Sequence, residues 1–193
     1  MLEVEIKAAL KDVSAEHLQE LAMEKGFQKA GRLQETDTYF NSANHSFMKT
    51  DEALRLRSCM DLDTKEVQTF ITYKGPKLDQ ISSTRVEHET SVGDPETMKS
   101  LLAALGFQQV FIVDKKRQEW KLKSSDKDEI TLCIDTVEDL GSFMELETIV
   151  GDSCKESKEA AIEVLLTILD EFGIPRKNLT RKSYLEMLYF AGA

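Results

Sequence analysis

Apolar and polar residues alternate with period two along much of this chain and follow helical spacing in the stretches between. Leu2, Val4 and Ile6 alternate with Glu3, Glu5 and Lys7, so a strand over roughly residues 1–10 turns the two sets to opposite faces. A helix is expected from about Ser14 to Lys25, with Leu18, Leu21 and Ala22 on one face and Gly26 as its stop. Strand patterns recur near 33–41, 53–59, 67–75 and 83–92. A second helix opens at Asp94-Pro95, where aspartate caps and proline suits the first turn, and it ends at Gly106. Further strand patterns lie near 107–122, 128–136 and 142–150. A long helix is expected over about 155–172, with Ala161, Val164, Leu165, Ile168, Leu169 and Phe172 at helical spacing and Gly173 as the stop. Leu179 to Phe190 reads as one more short helix.

Two strand–helix–strand segments look alike. Glu3-Val4-Glu5 leads through a helix to Gly26-Phe27-Gln28, and Glu87-His88-Glu89 leads through a helix to Gly106-Phe107-Gln108. Two related halves would build a pseudo-symmetric sheet or barrel. About eight strands, many of them antiparallel, are enough to close a barrel of useful internal width.

Charge repeats on the same period. Beyond Glu3, Glu5 and Lys7, the pattern takes in Arg55 and Arg57, Lys74, then Arg85, Glu87 and Glu89. It continues with Lys115 and Arg117, Asp135, and the pair Glu145 and Glu147, while Lys116 points away from its neighbours' face. A single such pair is an ordinary solvated sheet face with a cross-strand ion pair. Seven strand segments doing so together suggest a barrel with a charged interior and an apolar outside packed against helices. Leu54, Leu56, Val86, Ile134, Phe143 and Leu146 supply the apolar neighbours on the opposite faces or close by. Burying that many charges is costly unless they pair, bind metal or face water and ligand. A ligand with several negative charges, together with divalent cations, meets both halves of the set.

Composition narrows the classes. The 193 residues are 41% apolar and 31% charged, which reads as one globular domain over residues 1–193. A formal net charge of −10 argues against a general nucleic-acid or anionic-membrane binder. Nothing is apolar for long enough to span a bilayer, and the start lacks the layout of a signal peptide, so the expected location is the cytoplasm. Cys59, Cys133 and Cys154 have no disulfide-framework or metal spacing and read as reduced thiols. His17, His45 and His88 are too scattered for a zinc site.

The charged strands resemble the CYTH superfamily, the triphosphate tunnel metalloenzymes, whose hallmark Glu-x-Glu-x-Lys stands here as Glu3-Val4-Glu5-Ile6-Lys7. The resemblance runs on through Asp37-Thr38-Tyr39-Phe40, Leu54-Arg55-Leu56-Arg57, Tyr73-Lys74-Gly75, Arg85-Val86-Glu87, Lys115-Lys116-Arg117 and Glu145-Leu146-Glu147. It implies an α+β fold: a closed tunnel of eight antiparallel strands with helices outside. It also implies that Glu3, Glu5, Glu145 and Glu147, assisted by Asp135 and with Glu87 as a further candidate, hold Mg²⁺ or Mn²⁺. Lys7, Arg55, Arg57, Lys74, Arg85, Lys115 and Arg117 would grip triphosphate oxygens, and Glu89 would be structural. Lys7, Lys115 and Arg117 would join Glu3 and Glu5 as the catalytic set. Two segments, Asp135 to Glu145 and Ser183 to Leu188, resemble the class IV adenylyl cyclase branch, which converts ATP to cyclic AMP and pyrophosphate. The alternative is a triphosphatase acting on inorganic tripolyphosphate, thiamine triphosphate or a nucleotide. A non-catalytic polyphosphate-binding protein is the third reading, and the two carboxylate pairs argue against it. Tyr39, Phe40 and Phe47 are candidate stacking groups for an organic moiety. The resemblance leaves room for a homodimer without setting the oligomeric state.

Overall fold

The computed structural model describes residues 2–11, 13–123, 129–151 and 155–191. The strands are β1 (Leu2–Ala9), β2 (Gln28–Ser42), β3 (Ala53–Asp61), β4 (Val67–Lys74), β5 (Arg85–Ser91), β6 (Phe107–Lys123), β7 (Glu129–Val137) and β8 (Gly141–Val150). The helices are α1 (Ala15–Glu24), α2 (Pro95–Ala104), α3 (Lys155–Glu171) and α4 (Tyr184–Ala191). Neighbouring strands pair antiparallel and close into a ring in the order β1-β5-β4-β3-β2-β6-β7-β8. No helix among the described residues is long and apolar enough to cross a membrane.

The repeat seen in the sequence is built into this ring. Exchanging β1–β4 for β5–β8 leaves the cyclic order unchanged. The two connecting helices also begin and end alike. Ser14 accepts the His17 amide at the start of α1, and Asp94 accepts the Glu96 and Thr97 amides at the start of α2, each satisfying donors that a first turn leaves free. Past their ends, Gly26 and Gly106 take φ of +86° and +87°, a left-handed conformation in which a side chain would be strained.

Strand alternation sends the apolar residues outward. Val4, Ile6, Leu132 and Leu146 leave the barrel wall to meet Leu18 of α1 and Leu165 and Leu169 of α3 in the main core. On another side, Leu102 of α2 packs on Phe40, Leu54 and Leu56. A third cluster joins Tyr39, Val113, Val137 and Phe143 to Tyr184 and Leu185 of α4. These four strand residues share the parity of the charged positions, so α4 docks on an apolar patch of the barrel's inward face.

Several expectations change here. Phe143 lies on the inward face with Glu145, not opposite it. Val86 is 41% exposed rather than packed under a helix. In α3, Val164 is 49% exposed while Ile162 and Leu166 are buried; the buried stripe is rotated from the one expected. β2 starts at Gln28 rather than near residue 33, because its polar first residues pair with β6 across a register shift between Lys29 and Gly31. The last helix starts at Tyr184, since residues 179–180 instead bond to β1, with Thr180 N–H donating to the Lys7 carbonyl at 2.9 Å. Cys59 and Cys133 are free thiols, and Cys154 lies outside the described residues.

The rotated stripe gives a direct test. Leu165→Ala should cost about 2–5 kcal/mol of stability, as a large-to-small change in a closed core does. Val164→Ala should stay within about 0.5 kcal/mol. Urea unfolding of the two variants checks the order.

Candidate active site

Inside the barrel lies a cavity of about 490 Å³. Alternation brings Glu3, Glu5 and Lys7 of β1 to its wall, with Arg55 and Arg57 of β3, Lys74 of β4, and Arg85, Glu87 and Glu89 of β5. Lys115 and Arg117 of β6 and Glu145 and Glu147 of β8 complete the set expected from sequence, apart from Asp135. Lys116, between two inward neighbours, is exposed.

The charges form a continuous alternating chain around the wall. Asp37 receives Arg57 through Nε and Nη2 at 2.6 and 2.7 Å. Arg57 also reaches Glu35 at 3.2 Å, and Glu35 pairs with Lys115 at 3.0 Å. Lys115 donates to Asp135 at 3.0 Å, and Arg117 grips the same carboxylate at 2.8 and 2.7 Å. Arg117 bonds in turn to Glu145, which pairs with Lys7 at 3.1 Å; Lys7 ends the chain 3.5 Å from Glu5. The register explains the geometry, because Asp37 faces Arg57, Glu35 faces Lys115, Arg117 faces Asp135 and Lys7 faces Glu145 across strand pairs.

These pairs set the ionisation states. Burial pushes Asp37 up, but Arg57 and Arg55 outweigh it and hold the carboxyl at about 2. Burial likewise opposes Glu35 and Glu145, and Arg57 with Lys115, or Lys7 with Arg117, keep each well below the usual range. Lys7 is held above its ordinary value despite burial, by Glu145 and Glu5.

A second group of carboxylates is under-compensated. Glu5 stands directly opposite Glu147 across the β1–β8 pair, and like charges so placed repel. Glu147 has no cationic partner within ion-pair distance among the described residues. Burial and then Glu3 push its carboxyl up to about 8. Glu3 is also raised, by burial against the pull of Lys74 and with the repulsion of Glu87. The Glu5 Oε1 atom is buried without a hydrogen-bond partner. In the geometry shown, no three His, Cys, Asp or Glu groups among the described residues stand close enough to hold a metal. Glu3, Glu5 and Glu147 nevertheless fit a hard divalent cation by their chemistry: neighbouring carboxylates with at most one long ion pair each, Lys74 at 3.7 Å from Glu3 and Lys7 at 3.5 Å from Glu5, and none for Glu147 among the described residues.

The other expected ligands are differently employed. Asp135 is fully buried behind the wall, does not line the cavity, and spends both oxygens on Lys115, Arg117 and the Tyr184 hydroxyl. Its place is that of an anchor for the basic residues. Glu145 is occupied by Lys7 and Arg117, and Glu87 by Lys74. Glu89 lines the cavity and accepts from Thr72 at 2.7 Å.

The basic residues are unequally tethered. Arg57 and Arg117 are each gripped at two points by a buried aspartate. Arg55 has long contacts, 3.4 Å to Asp37, 3.5 Å to Thr72 and 4.0 Å to Glu89, and an unpartnered Nε, so of these wall arginines it is the most loosely held. Arg85 is fixed by the Asp51 and Gly75 carbonyls and the Asp51 carboxylate.

Sequence reasoning missed Glu35, which follows the same period-two signal with Asp37 and could have been found that way. It gave no role to Asp51, Arg181, Tyr184 or Glu186, which reach the cavity from loops and α4; no strand periodicity marks such residues. Of the three candidate stacking groups, Tyr39 lines the cavity. Phe40 faces outward toward α2, and Phe47 stacks on Phe107, so neither is available inside.

Residues 1–184 match the CYTH domain family. The chain is 39% identical over 189 residues to "Putative adenylate cyclase MJ0240" of Methanocaldococcus jannaschii, covering 97% of this chain and 98% of that one. It is 27% identical over 150 residues to "Adenylate cyclase CyaB" of Aeromonas hydrophila, covering 78% and 70% respectively. Among solved structures it resembles the PH1819 protein from Pyrococcus horikoshii, with a TM-score of 0.83, 36% identity and coverage of 98% and 99%. The chain belongs to the CYTH family.

Two outcomes follow from the charge network. Asp37→Asn keeps the shape but strands Arg57 and Arg55, and urea unfolding should register a loss of about 3–5 kcal/mol, as for other broken buried pairs. Glu147→Gln should behave in the opposite sense. The Glu147 carboxyl titrates near 8 when folded and near 4.3 when unfolded. The wild-type protein without metal therefore binds one more proton folded than unfolded between those values, and its stability falls as pH rises through that window. Glutamine removes the dependence. Unfolding in EDTA at pH 5 and pH 8.5 should show the variant gaining on the wild type at the higher pH.

Proposed function

We propose that this CYTH-family protein is a divalent-metal-dependent enzyme acting on a triphosphate inside the barrel, and that its reaction converts ATP to cyclic AMP and pyrophosphate. The observation that carries the reading is the convergence, in one cavity, of seven strand-borne basic residues with three carboxylates whose charge is poorly compensated. A polyphosphate and a cation supply what each half lacks. Binding chemistry alone would favour the basic set and would have no use for Glu3, Glu5 and Glu147.

Arg55, Lys74 and Lys7 are placed to take phosphate oxygens, arginine by its fork and the lysines as compact charges. Arg57, Lys115 and Arg117 present their remaining donors from fixed positions, since Asp37, Glu35 and Asp135 hold them from behind. In the cyclisation the ribose 3′-hydroxyl gives up its proton to solvent, its oxygen bonds to the α-phosphorus, and the bond from that phosphorus to the oxygen it shares with the β-phosphate breaks. Charge grows on the departing pyrophosphate, where preorganised cations lower the barrier. Glu3, Glu5 and Glu147 would hold Mg²⁺ or Mn²⁺, which when bound supplies Lewis acidity and charge neutralisation at the phosphates. Tyr39, Met48, Ala53 and Leu185 line the same cavity and offer an apolar surface for the nucleoside.

One observation favours a second reading, hydrolysis of a triphosphate by water attack on a terminal phosphorus. Among the described residues lining the cavity, the aromatic ones are Tyr39 and Tyr184, and the Tyr184 ring is taken by two lysines. A paired aromatic clamp for a base is therefore not part of the wall.

Product analysis separates the two. With Mn²⁺ or Mg²⁺ and ATP, the proposed cyclase yields cyclic AMP and pyrophosphate in equal amounts. Orthophosphate release from ATP or tripolyphosphate, without cyclic AMP, would instead establish the triphosphatase. Glu3→Gln and Glu5→Gln should each lower turnover by about 10²-fold or more, by analogy with the loss of a preorganised electrostatic group. Full activity in EDTA after removal of bound metal would overturn the metal assignment.

A further inference from the structure

The C-terminal helix sends one side chain into the basic wall. Tyr184, the first residue of α4, is buried. Its hydroxyl donates to Asp135 Oδ2 at 3.0 Å. Its ring centroid lies 4.3 Å from Lys7 Nζ and 5.3 Å from Lys115 Nζ, both within cation–π range. The edge of Phe143 closes on it at 5.1 Å between centroids. One side chain thus touches two members of the phosphate clamp and the carboxylate that anchors two of its members.

Its own placement is secured by the start of α4. The Ser183 hydroxyl accepts the Glu186 amide at 3.1 Å, and Glu186 Oε2 accepts the Ser183 amide at 2.6 Å. This reciprocal pair is a capping box. Glu186 also meets Lys77 at 3.3 Å, and Lys77 meets Asp51 at 2.5 Å. Asp51 holds Arg85 at 3.3 Å. The beginning of α4 is therefore tied to the cavity wall on two sides.

We propose that Tyr184 is a positioning residue for the triphosphate clamp, keeping Lys7 and Lys115 presented to the ligand and relieving Asp135 of part of its demand on Lys115 and Arg117. This rests on the triphosphate reading of the cavity. The physical effect has two parts. The ring face gives both ammonium groups an electrostatic partner that does not neutralise them, as a carboxylate would. The hydroxyl satisfies Asp135 Oδ2 with a neutral donor, which leaves Lys115 and Arg117 less tightly engaged. Without the side chain, both lysines fall back on Glu145, Glu35 and Asp135, and an incoming phosphate must first break those pairs.

The test compares Tyr184→Phe, Tyr184→Leu and Phe143→Leu. The last loosens the same apolar cluster without touching a lysine. Dissociation constants for tripolyphosphate with Mn²⁺ are measured by calorimetry below each variant's melting temperature, beside kcat and KM for the reaction established by product analysis. Tyr184→Leu should weaken binding about tenfold, the scale of a desolvated cation–π contact. Tyr184→Phe, which keeps the ring, should recover most of that and leave a shift of about threefold. Phe143→Leu should bind within about twofold of wild type, and kinetic effects should appear in KM more than in kcat. Equal binding by Tyr184→Leu and Phe143→Leu would reduce Tyr184 to a packing residue and overturn the inference. If the leucine variant does not fold, an unshifted dissociation constant for Tyr184→Phe overturns it on the hydroxyl. Failure of the wild type to bind tripolyphosphate would overturn the proposed function itself, and this inference with it.

Discussion

A closed barrel whose interior is charged must compensate those charges within the wall, and most of this protein's structure answers that requirement. Moving an ion out of water costs several kcal/mol, and a partner returns that only when the geometry is good and the remaining oxygens and protons are satisfied. The chain from Asp37 through Arg57, Glu35, Lys115, Asp135, Arg117 and Glu145 to Lys7 meets the condition by strand register. Each link is made between residues that pleat and pairing already place side by side. A one-residue slip in any of these pairs would turn the charges into the apolar core outside and the core residues into the cavity.

Compensation is uneven, and the proposed function rests on that unevenness. The β2, β3, β6 and β7 side of the wall is saturated: each buried acid there has a basic partner. At Glu3, Glu5 and Glu147 the balance fails, and burial shifts Glu147 to about 8 rather than leaving it ionised. On the basic side, Arg55 retains an unsatisfied Nε. Local imbalance that a ligand can relieve is the usual mark of a site rather than a scaffold.

The twofold character of the ring bears on the same point. The Asp37–Arg57 pair joins β2 to β3, and Arg117–Asp135 joins β6 to β7, the equivalent strands of the second half. The acid stands on the first strand in one half and on the second strand in the other. The two halves therefore share a pairing geometry while reversing its polarity, and each supplies one doubly held arginine to the cavity. Helices α3 and α4 follow β8 without a counterpart after β4, and the docking of α4 on the inward face gives part of the barrel interior an apolar lining.

How far the sequence reached differs between strands and everything else. Period-two alternation in β1, β3, β6 and β8 was enough to assign the inward charges, and the contrast between Lys116 and its neighbours followed from the same rule. Helix ends marked by Asp94-Pro95, Gly26 and Gly106 were legible because caps and left-handed glycines are local physics. Residues brought in from outside the strands were not legible, nor were the partners that consume charge. Nothing local distinguishes Asp135, spent on four donors behind the wall, from Glu147, left without a cation among the described residues. Nor does α4's own pattern reveal that Tyr184 reaches Lys7, 177 positions earlier in the chain (184 minus 7). Alternation fixes which face a side chain takes. Which charges meet depends on ring closure, register and the docking of a distant helix, and these exist only once the chain has folded.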